Sequence, residues 1–227
     1  MKEQIQSNYE NRLRSYVALI HGNEPPGLVA KLAIYSSLLA QQHKRGGRFL
    51  RIEPLLYPLS QAVEVDLHLA TAKLLEPNGN RSERSLFAFL DFCEKNRTNI
   101  TWKSGAIPAD VIQKQSADLE AHRATIQTIL ARRDKFFAHL DKQYFNDPTA
   151  IYRDYPLDGQ AVIALVNCII AIISGHHMAL EDKANFHIAE FYEIAVDNML
   201  RNLEEGRTRN FPGQLEQQVP TSQSLEP

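Results

Sequence analysis

Apolar side chains recur along almost the whole chain at intervals of three and four, the spacing that lines up one face of an α-helix. Ile5, Tyr9, Leu13, Tyr16, Val17 and Ile20 share such a face, and His21-Gly22-Asn23 ends it before the sharp join Pro25-Pro26-Gly27. Leu28, Leu32, Tyr35 and Leu39 predict a second helix, stopped by Gly46-Gly47. Beyond Pro54 and Pro58, a third stripe runs through Leu59, Val63, Leu67, Ala70 and Leu74, and Pro77-Asn78-Gly79 breaks it. Leu86, Phe89, Leu90 and Cys93 predict a fourth helix with Ser82 as its N-cap.

Pro108 followed by Asp110 opens the longest predicted helix, continuing to about Phe145 and closed by Asn146-Asp147-Pro148. Pro156 and Asp158 start a very apolar helix through Val162, Leu165, Val166, Ile169 and Ile173, so poor in polar residues that it is expected to be packed on most sides. A last helix uses Ile188, Phe191, Ala195, Met199 and Leu203, with Gly206 past its end. From Asn210 onward the apolar periodicity stops, so residues 210–227 are expected to form a disordered polar tail after a single domain, residues 1–209. Strand alternation, internal repeats and a glycine-rich phosphate loop are all missing from the pattern. About seven helices on one core make an all-α bundle.

Composition narrows the function classes. With 227 residues, 44% hydrophobic and 23% charged, the chain can bury a substantial core. A formal net charge of −2 argues against coating nucleic acid by bulk electrostatics, and leaves open a local basic patch. Cys93 and Cys168 stand far apart inside apolar patterns and read as buried thiols in a reducing compartment. No Cys/His ladder predicts a structural zinc, and neither a metal nor a cofactor is expected. The polar start MKEQIQSNYENRLR lacks a secretory apolar region. The most apolar run, Ala161 to Ser174, is interrupted by Asn167 and reads as too short to cross a bilayer. A cytoplasmic protein without membrane contact is expected.

The residues suited to chemistry lie in ARRDKFFAHLDKQYF. An arginine and a histidine together can cleave RNA without a metal. The imidazole titrates near neutrality and takes the proton of a ribose 2′-hydroxyl. The guanidinium stays charged and grips the five-coordinate phosphate that forms when that oxygen attacks. On an ideal helix Ile126, Leu130, Phe137 and Leu140 define one apolar stripe with Arg133 in its middle. A charge there needs a partner, because burying it alone is prohibitive. Two readings follow: Arg133 pairs with an acidic residue inside the bundle and His139 is a partly buried histidine, or the two border a cleft where two copies of the helix meet. A regular helix turns their directions about 120° apart, so joint action requires reach, a bend or two subunits.

Other features carry weaker chemistry. Arg14 and His21 repeat a similar gap in the first helix. Lys44-Arg45-Gly46-Gly47-Arg48 with Arg51 reads as a basic solvated join, with contact to RNA phosphates as the alternative. His176-His177 and His187 lie near Glu181, Asp182 and Glu190, but adjacent helical histidines diverge by roughly 100° and do not chelate together. Trp102 and Tyr57 read as core or interface anchors rather than base-stacking platforms.

The stretch RDKFFAHLD resembles the signature of the HEPN superfamily (higher eukaryotes and prokaryotes nucleotide-binding), in which an arginine followed by Asn, Asp or His precedes a histidine by four to six intervening residues. Here Asp134 follows Arg133, and five residues separate Arg133 from His139. Lys135, Ala138-His139 and Asp141 are similar to the abortive-infection (AbiU-like) branch, as is LHLATAKLLEPNGNRSERSLFAFLDF upstream. The resemblance spans roughly residues 5 to 205. It implies a metal-independent endoribonuclease, a toxin or phage-defence effector, with a composite site across a homodimer. His139 would move the proton, Arg133 would stabilise the phosphorane, and Asp134 would orient Arg133 or the substrate. Arg132, Lys135, Asp141 and Lys142 would contact single-stranded RNA, and Arg132 competes with Arg133 as the working arginine. The resemblance also implies an antitoxin or regulatory protein as partner. Its alternative is a non-catalytic HEPN module that binds a partner protein, nucleotide or RNA.

Overall fold

A computed structural model describes residues 2–76, 84–181 and 188–215. The chain is all-α. Helices α1 (Lys2–His21), α2 (Leu28–Arg45), α3 (Arg48–Ile52), α4 (Leu56–Leu75) and α5 (Leu86–Asn96) precede a minimal hairpin of β1 (Thr101–Trp102) and β2 (Gly105–Ala106). The strands pair antiparallel, Trp102 opposite Gly105. After them come α6 (Ala109–Glu120), α7 (Arg123–Arg132), a π-helical turn at Arg133–Phe137, α8 (Lys142–Asn146), α9 (Ala150–Asp154), α10 (Gly159–Glu181) and α11 (Ala189–Asn210). The expected helical stripes at the start of the chain are the buried ones, with Tyr9, Leu13, Tyr16 and Ile20 of α1 against Leu28, Leu32 and Tyr35 of α2. Gly27 lets the chain return closely over the end of α1, because a Cβ there would sit 2.5 Å from the Ile20 carbonyl oxygen. The break at Pro77-Asn78-Gly79 and the Ser82 cap fall outside the described residues. Among those described, Ser85 stands at the N-cap position of α5.

Helix α10 is the central column. Val162, Leu165, Val166, Ile169, Ile172 and Ile173 are buried in the main core with residues of α1, α2, α5, α6 and α7. The expectation of packing on most sides is too strong, since Ala164, Asn167, Ala171 and Met178 of this helix are exposed. The apolar run also extends further than its sequence suggests. Over its 23 residues α10 is long and apolar enough to cross a membrane by length and composition. Its burial among five other helices is what a core helix shows.

A second cluster joins Leu38 of α2, Phe49 and Ile52 of α3, Leu56 of α4, and Val196 and Leu200 of α11. Leu215 completes it, so the chain still contributes to packing past residue 209. Helix α11 runs through Gly206 to Asn210 instead of stopping before the glycine. Its last turns are held by ion pairs: Glu204 receives Arg45 at 3.5 Å and Arg48 at 2.8 Å, and Arg207 binds Glu53 at 3.1 Å. The basic join between α2 and α3 is therefore engaged with α11, which favours a structural role over contact with RNA phosphates.

Candidate active site

The expected long helix is broken twice, the second time within RDKFFAHLD. The first break, at Ala121–His122, separates α6 from α7. The second is the π-helical turn, in which the Ala138 amide reaches back five residues to the Arg133 carbonyl at 2.8 Å. The Asp141 amide then binds the Lys135 carbonyl at 3.0 Å and the chain re-enters helix at Lys142. A π turn inserts one residue into the helical repeat and so rotates everything beyond it. The expected stripe fails on both sides of the turn. Ile126, Ile129 and Arg132 are the buried positions of α7, while Leu140 is 54% exposed.

The buried charge is accordingly Arg132, not Arg133. Its Nε donates to the Tyr155 carbonyl at 2.9 Å and its Nη1 to Glu64 Oε1 at 3.3 Å. The guanidinium lies 5.0 Å from the centre of the Tyr152 ring. With only 3% of the residue exposed, Arg132 cannot serve as the substrate-contacting arginine expected from the sequence. Burial raises the Glu64 carboxyl above its usual range, and the Arg132 charge opposes that rise. His68, one turn along α4, has its Nδ1 4.0 Å from Glu64 Oε1 and its ring against Phe137 at 6.2 Å. Burial, and then the Arg132 charge, lower its pKa to about 4, so the imidazole is neutral near pH 7.

Arg133 is less enclosed than Arg132 and is held by two carboxylates. Its Nε donates to Asp134 Oδ1 at 2.7 Å and its Nη1 to Glu76 Oε1 at 3.2 Å. Nη2 has no acceptor among the described residues. The side chain keeps 15% of its surface exposed. Lys135 lies 3.9 Å from Asp141 and 5.9 Å from the centre of the Tyr155 ring. His139 is exposed on the irregular link between the π turn and α8, and Lys142 is exposed at the start of α8. Among these residues the structure pairs Arg133 with Asp134 and Lys135 with Asp141, while His139 stands on the link after the turn and Lys142 at the start of α8. Sequence reasoning missed Glu64, His68 and Glu76. The available signal was Glu64 and His68 at i and i+4, flanking the apolar positions Val63 and Leu67 of the third stripe.

The paired histidines of α10 part company. His176 is fully buried in a chain of hydrogen bonds, with Trp102 Nε1 donating to Tyr9 Oη at 2.8 Å and Tyr9 Oη 3.0 Å from His176 Nδ1. His176 Nε2 lies 2.9 Å from Gln115 Oε1, so it carries the proton and Nδ1 accepts from Tyr9. His177 instead faces Glu181 at 3.4 Å. No cluster of three metal-ligating side chains occurs among the described residues; Asp182 and His187 lie outside them. Trp102 is 7% exposed and is a core anchor, whereas Tyr57 is 55% exposed.

Burial lowers the pKa of His176 from 6.5 to about 4. The unfolded chain therefore binds a proton that the folded chain refuses between those values. The stabilisation is complete above pH 6.5 and drains as pH falls through the window, by roughly 3 kcal/mol for this residue. Urea unfolding at pH 7 and pH 4.5 is expected to show the loss, and His176→Gln should reduce it, leaving the share that His68, lowered to about 4 as well, contributes. An equal pH dependence in both proteins would exclude His176 as the cause.

Comparison with known proteins adds one match. The family model HEPN_AbiU2, described as AbiU2, covers residues 18–198. Neither the curated proteins nor the solved structures compared with the chain yield a match.

Proposed function

The chain belongs to the AbiU2 family of HEPN abortive-infection modules, and from that premise we propose that it is a metal-independent endoribonuclease acting on single-stranded RNA through Arg133 and His139. The observation that carries this reading is the π turn within a matched family segment. It takes Arg133 and Asp134 out of the regular helix and delivers His139 onto an exposed link a few residues later.

In the proposed reaction His139 removes the proton from a ribose 2′-hydroxyl, and that oxygen forms a bond to the adjacent phosphorus. Arg133, its fork oriented by Asp134 and Glu76, stabilises the negative charge on the phosphorane through its remaining N–H groups. The bond from phosphorus to the 5′-oxygen then breaks, and the leaving oxygen takes up the proton that the His139 imidazolium carries. The products are a 2′,3′-cyclic phosphate and a 5′-hydroxyl. Lys135 and Lys142 supply positive charge along the strand, and Asp141 holds Lys135. The site is assembled from two copies of the chain. Support comes from the exposed apolar side chains that flank the motif, Leu140 at 54% and Phe145 at 69%, which a second copy would cover. An effector of this kind, a toxin or phage-defence nuclease, acts in the cytoplasm and requires an antitoxin or regulatory partner to restrain it.

The test is incubation of purified protein with single-stranded RNA in EDTA, with both product ends mapped. Cleavage leaving cyclic phosphate and 5′-hydroxyl ends is the expected result. Ends of the opposite kind, or activity that EDTA abolishes, would reject the mechanism. The net charge of −2 favours a second reading, a HEPN module that binds a partner without turnover. It predicts no cleavage of any RNA pool.

A further inference from the structure

A cleft of about 610 Å³ lies between α1 and α5, built from residues the Arg133–His139 motif does not use. Asn8, Asn11, Arg12 and Ser15 line it from one face of α1, Arg84 stands just before α5, and Phe92 lies within α5. Two guanidinium groups, two amides, a hydroxyl and an aromatic ring thus meet in one place, with no carboxylate among these lining residues. Arg84 is the exposed cation of this lining, and Arg12 is half-buried. The Arg12 guanidinium is held 5.0 Å from the centre of the Phe92 ring and 5.8 Å from that of Phe89. Its plane is therefore supported by aromatic packing. Tyr16 lies at the buried edge of the cleft, and the Arg12 charge opposes the rise in pKa that burial gives its hydroxyl.

We propose that this cleft is a subsite for single-stranded RNA, holding a stretch of strand apart from the bond to be cut. The choice of RNA rests on the function proposed above. The shape favours a strand over one small molecule. The lining residues run along α1 from Asn8 to Leu19, a rise of about 16 Å at 1.5 Å per residue. That length accommodates two or three nucleotides, and Asn8, Asn11, Ser15, Leu19 and Arg84 are exposed along it. The exposed Arg84 fork binds a phosphate, the half-buried Phe92 ring offers a face for a base, and asparagine amides both donate and accept, so they meet base edges of any sequence. A near-neutral protein holds a polyanion only through such a localised groove.

The experiment uses the full chain and a fully 2′-O-methylated RNA oligonucleotide, which lacks the attacking hydroxyl and survives whether or not the protein is a nuclease. Binding is read by fluorescence anisotropy across a salt titration. Arg12 packs against the core residue Phe89, so the informative variants are Arg84→Gln and Phe92→Leu, each checked for an unchanged melting temperature. Arg84→Gln is expected to weaken binding about tenfold and to reduce the slope of log affinity against log salt by about 0.7. Phe92→Leu should weaken binding about five- to tenfold and leave the slope unchanged. Affinity unaltered in both cleft variants would overturn the subsite. So would competition by AMP or inorganic phosphate as effective as competition by the oligonucleotide, because a small-molecule pocket would then be indicated. Loss of binding in the cleft variants, alongside an absence of cleavage by the parent chain, would sustain the subsite while removing the nuclease reading.

Discussion

His139→Ala is expected to slow RNA cleavage by about 10²- to 10⁴-fold, the usual contribution of a positioned general acid–base. His139 is exposed on a link outside regular helix, so the same change should leave the melting temperature unaltered. Arg133→Ala should lower the rate by about 10²- to 10³-fold, since it removes one positive clamp on the phosphorane. Arg133→Lys should recover only part of this, because an ammonium cannot reproduce the planar fork that Asp134 and Glu76 hold. Arg133 also pairs with Glu76 and Asp134, so its rate is compared under conditions where parent and variant are both fully folded. A His139→Ala protein that cleaves within a few-fold of its parent, after removal of contaminating nuclease, would end the proposed chemistry.

Glu64→Ala should destabilise the fold by roughly 3 kcal/mol, the lower end of what stranding a buried charge costs. The lower end applies because Glu64 keeps 31% of its side-chain surface exposed, although the Arg132 side chain keeps only 4%. The remaining Tyr155 carbonyl and the Tyr152 ring face do not neutralise the guanidinium. For a chain of this length the loss corresponds to a fall of about 6 to 12 °C in melting temperature. Glu64→Gln, which keeps an acceptor, should cost less. Arg132→Met combined with Glu64→Leu should recover most of the stability, because the desolvation cost of both ions disappears with the pair. A melting temperature for Glu64→Ala within about a degree of the parent would show that the pair contributes nothing.

How far the sequence reaches is clear from two stretches. In α1 the periodic residues Tyr9, Leu13, Tyr16 and Ile20 are each buried as expected, since helical phase over twenty residues is a local property that neighbouring side chains impose. In the motif the same counting put Arg133 on the buried stripe and was wrong by one residue. The composition of RDKFF carries no proline or glycine to announce a π turn. The partners of the residue just before the turn are equally distant: Glu64, 68 positions earlier, binds Arg132, and the Tyr155 carbonyl holds the same group from the other side.

The order of residues by itself determined the helical class of the protein, most of its core stripes and the identity of the motif, because these depend on side-chain type and on spacing within a few turns. Tertiary structure alone decided which arginine is buried, where the long helix breaks, and that His139 emerges on an exposed link. Those outcomes depend on partners distant in the chain, and burying a cation requires an anion or carbonyl that only the assembled bundle brings to it.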